Sequence, residues 1–198
     1  DLHSLRRRQR QMCIETAQAF AAAVTQYSTL KTYSVAYIID IGGFTIDVLK
    51  LRNGRPDLAV VESFEKGVIT LYNSITSKCN ALYARILEDC DIDEVIRNQP
   101  TVLPGEVQQL IRSMTGEFLS EFYNFLRERG IDVTTSKCVF AGGGSLLLRG
   151  MIERANKVAF PIFIEDIHAN AHGYELLYQS EVASNGSNST VSYTHLRA

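Results

Sequence analysis

The stretch Asp40-Ile-Gly-Gly-Phe-Thr-Ile-Asp47 follows an apolar run and places two glycines where a strand should end. A second stretch of this kind, Phe140-Ala-Gly-Gly-Gly-Ser145, follows another apolar run much later in the chain. Glycine lets the backbone turn sharply and approach a phosphate with no β-carbon in the way. The pair therefore predicts two nucleotide-binding turns, and Asp40, at its strand end, is predicted to face a metal ion.

Strands are predicted on both sides of the first glycine turn. Residues 35–40 are apolar before it, and residues 45–51 alternate after it. Asn53 and Gly54 form the residue pair favoured in two-residue hairpin turns, and residues 58–63 return as a third strand. We therefore expect a β-hairpin next to the glycine turn.

Two later segments have the apolar period of helices. The first has one stripe made of Val68, Leu71, Tyr72, Ile75, Cys79, Leu82, Tyr83 and Ile86. The second has a stripe made of Val107, Leu110, Ile111, Met114, Phe118, Phe122 and Phe125. Gly130 is typical of a helix end. We expect the first helix to pack on a sheet. The spacing of the second stripe is what any packed helix requires, so we interpret that stripe as core. A short helix is predicted over 93–98 and a linker over 100–105.

The second glycine turn should lie between a strand at 137–141 and a helix at 146–156. That order places backbone N–H groups at a helix N-terminus, which favours an anion. A strand at 161–165 and a helix at 169–179 follow, and a helix at 17–29 comes before the first strand. The whole pattern predicts an α/β fold with a mixed sheet, a β-hairpin and flanking helices.

Composition narrows the classes of function. The chain has 198 residues, 45% of them hydrophobic, which is enough for one compact core. The formal net charge of −2 gives no general basic field, so direct binding of nucleic acid is not expected. Cys13, Cys79, Cys90 and Cys138 lie far apart, unlike zinc or disulfide patterns, which favours the cytoplasm. No apolar run approaches the ~20 residues that span a membrane.

The quoted residues resemble motifs of the actin, DnaK-type chaperone and sugar kinase superfamily. Residues 40–47 resemble its second phosphate motif, and residues 140–150 resemble its adenosine motif. The helix containing Gln18 and the segment 169–175 resemble its two connecting segments. The amino-acid sequence of these motifs is most similar to that of bacterial actin-like ATPases of the ParM/StbA plasmid-segregation group. The resemblance implies a ribonuclease H-like, actin-type ATPase lobe.

One motif of the superfamily has no counterpart here. Its first phosphate motif, an Asp-x-Gly loop followed by a lysine in the N-terminal lobe, is missing from the sequence. We therefore expect a C-terminal lobe that does not turn over ATP by itself, within a full-length parent that is an ATP hydrolase. Residues 1–16 are expected to end the N-terminal lobe, 17–181 to form the nucleotide-binding lobe, and 182–198 to be a disordered or foreign tail.

The resemblance implies roles for residues of the first turn. Asp40 would hold the nucleotide-associated Mg²⁺ through water, and Gly42 and Gly43 would donate N–H groups to the β- and γ-phosphates. Thr45 would add a hydroxyl near the terminal phosphate. Asp47 would orient the attacking water or the metal shell. Each also has a plain structural explanation: a strand-end aspartate, a hairpin turn, or ordinary strand residues.

The resemblance also implies roles outside the first turn. Gln18 would position the attacking water, although a surface glutamine on a helix is the plain alternative. Gly142, Gly143 and Gly144 would lie flat against the purine and the α-phosphate. Ser145 is expected to start the following helix as its N-cap.

These roles imply an ATPase that binds ATP and Mg²⁺ and forms filaments that separate plasmid copies. Its partners would be copies of itself and an adaptor protein bound to DNA. A chaperone or a metabolite kinase of the same superfamily is an alternative, because phosphate motifs do not determine the final function. A structural protein that ignores nucleotides is a third possibility.

Overall fold

The computed structural model describes residues 30–165, which form one five-stranded sheet with helices against it. The strands are β1 (Val35–Ile41), β2 (Ile46–Arg52), β3 (Arg55–Phe64), β4 (Lys137–Ala141) and β5 (Phe160–Phe163). The helices are α1 (Val68–Tyr83), α2 (Asp89–Ile96), α3 (Gly105–Glu128) and α4 (Gly143–Ala155). The strand order is β3-β2-β1-β4-β5. β1, β2 and β3 pair antiparallel, and β1, β4 and β5 pair parallel, which confirms the predicted mixed sheet.

The predicted hairpin joins β2 to β3. Asn53 has a φ of 50° and Gly54 a φ of 74°, the left-handed values that a tight two-residue turn requires. β3 is longer than predicted. Its first residues include Pro56, and a proline argues against predicting a strand from the sequence. Pro56 is tolerated there because β3 lies at the edge of the sheet. The register shifts after Leu49, so β3 carries a bulge.

The main core lies between one face of the sheet and the helices. Its strand residues include Tyr37, Ile39, Ile41, Ile46 and Val48. The predicted stripe of α1 is buried only in part, at Val68, Leu71, Ile75 and Cys79. The prediction is wrong for Leu82 and Ile86, which are 56% and 76% exposed. Ile86 lies beyond the end of α1 at Tyr83, so the helical period no longer applies to it.

Within residues 30–165, α3 has more buried residues than any other helix. Its buried residues are Val107, Ile111, Thr115, Phe118, Leu119, Phe122, Phe125 and Leu126. Phe64 of β3 packs among three of its phenylalanines, with ring centroids 5.0 to 6.4 Å apart. The aromatic stripe is therefore core, as predicted. Gly130, with a φ of 67°, follows the end of the helix as expected.

The opposite face of the sheet carries a second, smaller apolar cluster. It is formed by Leu30, Ala36, Ile38, Leu49, Leu51, Val139 and Ala141. Side chains alternate along a strand, so Asp40 of β1 and Asp47 of β2 share this face with the cluster. Both lie where β1 ends, which places two carboxylates beside an apolar surface.

Several predictions fall outside the described residues. These are Gln18, the helix expected at 17–29, and the helix and tail expected after residue 165. The predicted short helix at 93–98 exists but spans Asp89–Ile96 and begins with a capping box between Glu88 and Asp91. Between residues 30 and 165, no helix combines the length and apolar character needed to cross a membrane.

Candidate nucleotide site

Both glycine turns lie at the same end of the sheet, where β1 and β4 reach their carboxyl ends. β1 and β4 are parallel neighbours, with Ile39 opposite Phe140 and Asp40 opposite Ala141. The carboxyl ends of the two strands therefore coincide, and the turns that follow them meet. A Cβ built on Gly142 would lie only 2.4 Å from Oδ1 of Asp40, so the second turn packs against the end of β1, directly before the first turn. The structure thus brings together the two segments that the sequence predicted to act together.

Two carboxylates face each other at this edge. Asp40 and Asp47 are directly opposite in the antiparallel pair of β1 and β2, and both are partly buried. The Thr45 hydroxyl donates a hydrogen bond to Oδ2 of Asp47 at 3.1 Å. The arrangement favours a hard cation with oxygen ligands.

The first glycine turn is closed by its own backbone. The Gly42 N–H donates to the Thr45 carbonyl at 2.9 Å. The carbonyls of Gly42 and Gly43 accept hydrogen bonds from the N–H groups of Val68 and Ile69, at 3.1 and 2.8 Å. In this conformation Gly42 therefore shapes the turn, and its N–H is committed to Thr45 and not directed at a phosphate. The turn is also tied to the start of α1.

Gly67 belongs to this site, although the sequence analysis did not include it. It is the buried N-cap of α1. A Cβ on Gly67 would lie 2.4 Å from both the carbonyl carbon and the oxygen of Gly43, and 2.6 Å from the oxygen of Gly42. The local sign of this role in the sequence is a glycine directly before an apolar helical stripe. That signal does not show which distant residues it touches.

The second glycine turn forms the start of α4, earlier than predicted. The helix begins at Gly143, with Gly142 as its N-cap at φ 78° and ψ 160°. The predicted N-cap role of Ser145 is wrong: this residue lies in the first turn, and its buried hydroxyl donates to the Gly142 carbonyl at 2.8 Å. The serine hydroxyl thus makes a local hydrogen bond to a backbone carbonyl, in place of the bond to a backbone N–H that an N-cap side chain makes.

Gly144 fixes where α4 can begin. A Cβ on it would lie 2.5 Å from side-chain carbons of Ile41 and Val68, and 2.8 Å from the Ile41 carbonyl oxygen. These contacts come from β1 and α1, far from Gly144 in the chain. The packing of three segments therefore allows the helix to start at the glycines, which are poor helix formers by themselves.

The local charges favour an anion accompanied by a cation. The N-termini of α1 and α4, which carry partial positive charge, both lie next to the glycine turns. The carboxylates of Asp40 and Asp47 lie at the same edge. Within residues 30–165, no three His, Cys, Asp or Glu side chains are grouped to hold a metal by themselves. This donor set fits Mg²⁺, which keeps most of its waters and shares the oxygens of a bound phosphate.

Two apolar side chains border the first turn. Phe44, between Gly43 and Thr45, is 68% exposed, and Ile69 of α1 is also exposed. A Cβ on Gly43 would lie 2.8 Å from the terminal carbon of Ile69. That carbon ends a flexible side chain, so the first turn is less tightly enclosed by protein than the second.

Comparison with solved structures shows where this fold occurs. The archaeal actin homolog Ta0583 matches with a TM-score of 0.58 and 21% sequence identity, over 83% of this chain and 54% of that one. The apo ParM protein of psk41 matches with a TM-score of 0.62 and 14% identity, over 87% and 50%. An Alp12 filament matches with a TM-score of 0.59 and 16% identity, over 83% and 53%. Ta0583 in complex with ADP also matches.

The chain spans about half the length of these solved structures. No protein-family model and no curated protein matches the sequence. At these identities the likeness concerns the fold, and the agreement extends over most of this chain. The chain therefore has the fold of the actin-like ATPases.

Proposed function

We propose that this chain is the C-terminal, nucleotide-binding lobe of an actin-like ATPase that binds ATP with Mg²⁺ and assembles into filaments. One observation carries the proposal: two glycine turns, far apart in sequence, follow neighbouring parallel strands at the same end of the sheet, beside a pair of carboxylates. The matched structures support it, since one holds ADP and another is a filament.

The resident groups would be held as follows. Asp40, with Asp47 next to it, would bind Mg²⁺ through water, and Gly43 would lie along the β- and γ-phosphates. Gly142, Gly143 and Gly144 would lie against the purine and the α-phosphate. Bound Mg²⁺ would neutralise charge on the phosphates during hydrolysis.

The remaining residues would position water. The Thr45 hydroxyl orients the Asp47 carboxylate through their hydrogen bond, and that carboxylate would orient a water near the terminal phosphate. Gln18 would position the attacking water. Hydrolysis itself would need the lobe that carries the missing first phosphate motif, so the parent protein would be the enzyme.

The amino-acid sequence of the motifs favours the ParM/StbA group, so the filament would act in plasmid segregation in the cytoplasm. Its partners would be further copies of the protein and a DNA-bound adaptor.

Calorimetric titration of the 198-residue chain with ATP tests the nucleotide site. We expect binding that strengthens when Mg²⁺ is added, and an Asp40→Ala variant in which this Mg²⁺ dependence is lost. Asp57→Ala is the matched control, because Asp57 pairs with Arg52 near the hairpin end of the sheet and lies far from the turns. Absence of ATP binding by the wild-type chain would contradict the proposal.

Light scattering of the longer parent protein tests assembly. With ATP and Mg²⁺ we expect polymerisation and phosphate release, and both should fall in the Asp40→Ala variant. ATP hydrolysis without assembly would instead indicate the chaperone or kinase alternative. Assembly that is indifferent to nucleotide would indicate a purely structural protein.

A further inference from the structure

We propose that Gly67 is a positioning residue for the phosphate end of the nucleotide: its lack of a side chain lets the start of α1 set the conformation of the first glycine turn. This inference rests on the proposed nucleotide site and identifies a residue outside the two glycine motifs. It concerns the β- and γ-phosphates, because the atoms nearest to a Cβ on Gly67 belong to Gly42 and Gly43 of the first turn.

The backbone conformation of Gly67 does not explain why it is glycine. Its φ of −124° and ψ of −169° are extended values that any residue adopts. The reason is space: an added Cβ would approach the Gly43 carbonyl carbon and oxygen to 2.4 Å. Those atoms are backbone, so they cannot move aside as a side chain would. Any substitution must shift either the turn or the helix.

The helix is the less movable of the two. The Gly67 carbonyl accepts the Thr70 hydroxyl at 2.6 Å and the Leu71 N–H at 3.2 Å, which anchors Gly67 in the first turn of α1. Further along α1, Tyr72 donates a hydrogen bond to Asp93 of α2, and burial raises the pKa of this tyrosine. The buried residues Leu71 and Ile75 fix the same helix against the sheet.

The glycine turn is the more movable partner. Its exposed side carries Phe44. Two backbone hydrogen bonds connect the turn to α1, one from the Val68 N–H to the Gly42 carbonyl and one from the Ile69 N–H to the Gly43 carbonyl. A methyl group at Gly67 would therefore displace the Gly43 peptide and weaken both bonds. Atoms that bind phosphate must be held closely in place, so this displacement should weaken phosphate binding.

The test compares Mg²⁺-ATP with adenosine in calorimetric titrations of the 198-residue chain. For Gly67→Ala we expect ATP affinity to fall about tenfold or more, the loss of one hydrogen bond to a charged group. Adenosine affinity should stay within about twofold, since adenosine has no phosphate for the first turn to bind. Gly105→Ala is the matched control: this glycine also lies at a helix start, and no described atom lies within 4 Å of its added Cβ.

A second pair of variants covers the case in which Gly67→Ala does not fold. Ile69→Pro removes the N–H that donates to Gly43, and proline is tolerated in the first turn of a helix. Ile69→Ala retains that N–H and serves as its control. We expect Ile69→Pro to reproduce the selective loss of ATP binding, while Ile69→Ala should not.

The outcomes separate the inference from the proposed function. If wild-type chain binds neither ligand, the proposed nucleotide site is wrong and the role of Gly67 is wrong with it. If wild-type chain binds both, and Gly67→Ala or Ile69→Pro binds ATP as tightly as its control, the positioning role alone is overturned. An equal loss of ATP and adenosine would also overturn it, because that result indicates a general structural role.

Discussion

The two glycine turns follow neighbouring parallel strands, yet their glycines are required for different reasons. In the second turn, Gly142 has a φ of 78° and contacts the Asp40 side chain, and Gly144 is wedged between Ile41 and Val68. In the first turn, neither glycine has a positive φ, and a Cβ on Gly43 would meet the flexible end of the Ile69 side chain. The second turn is thus shaped by the packing of the protein, and the first has more room.

This difference shows which glycines are evidence for a ligand. Gly142 and Gly144 would be needed even if nothing were bound, so their presence supports the fold more than the function. Apart from the adjacent residues and the backbone of its own helix, no described atom lies within 4 Å of a Cβ on Gly143. Gly43 and Gly143 are therefore the positions where a bound nucleotide would be the main reason for glycine.

Substitution of Gly142 should have the largest effect on stability. Gly142→Ala places a side chain at φ 78° and ψ 160°, a conformation that is essentially restricted to glycine, and 2.4 Å from Oδ1 of Asp40. We expect a loss of about 3 kcal/mol in the free energy of unfolding. Urea denaturation of the 198-residue chain measures it. Gly116→Ala, within α3 and without described neighbours, is the control and should be neutral or slightly stabilising.

Gly144→Ala should have the next largest effect. The added methyl would lie 2.5 Å from side-chain carbons of Ile41 and Val68 in the core. Those carbons can shift at some cost, so we expect a loss of about 2 kcal/mol, typical of overpacking. The same urea experiment on a Val68→Ala, Gly144→Ala double variant should show partial recovery relative to the sum of the single changes. Full additivity would show that the predicted contact is absent.

The sequence predicted those parts of the fold that depend on neighbouring residues. The alternation in β2, the Asn53-Gly54 turn and the aromatic period of α3 are local patterns, and each corresponds to an observed element. The pairing of the two glycine turns was also predictable, because both follow apolar strands. Neither the metal role of Asp40 nor the water-positioning role of Gln18 has been tested, and both stay predictions.

The features that were missed depend on contacts between distant segments. The start of α4 at Gly143 depends on the fit of Gly144 against Ile41 and Val68, and local propensity favours a later start. The role of Gly67 depends on the Gly43 carbonyl, which no local pattern reveals. The exposure of Leu82 was likewise missed, because the helical period shows which face of the helix is apolar but not where the part of the protein that covers this face ends.

The hydroxyl groups of the two turns should also differ, by a smaller amount. Ser145 is fully buried and donates to Gly142, whereas Thr45 is partly exposed and donates to Asp47. We expect Ser145→Ala to cost about 1 kcal/mol in the free energy of unfolding and Thr45→Val about 0.5 kcal/mol. Urea denaturation of both variants measures the difference. A larger cost for Thr45→Val would indicate that the first turn is the more rigid of the two.

The smallest effect on stability is expected at Gly143, and there the ligand becomes the deciding factor. Gly143 is exposed at the first position of α4, so Gly143→Ala should change the free energy of unfolding by no more than about 1 kcal/mol, toward greater stability. If the purine or α-phosphate lies against this backbone, the methyl group should nevertheless weaken ATP binding about tenfold or more, because a close approach is lost. Thermal unfolding and calorimetric titration with Mg²⁺-ATP, performed on the same preparation, separate the two quantities. Since the protein gives Gly143 no steric reason to be glycine within residues 30–165, unchanged ATP affinity in a stable variant would mean that no nucleotide contacts this position, and the adenosine role assigned to the second turn would have to be abandoned.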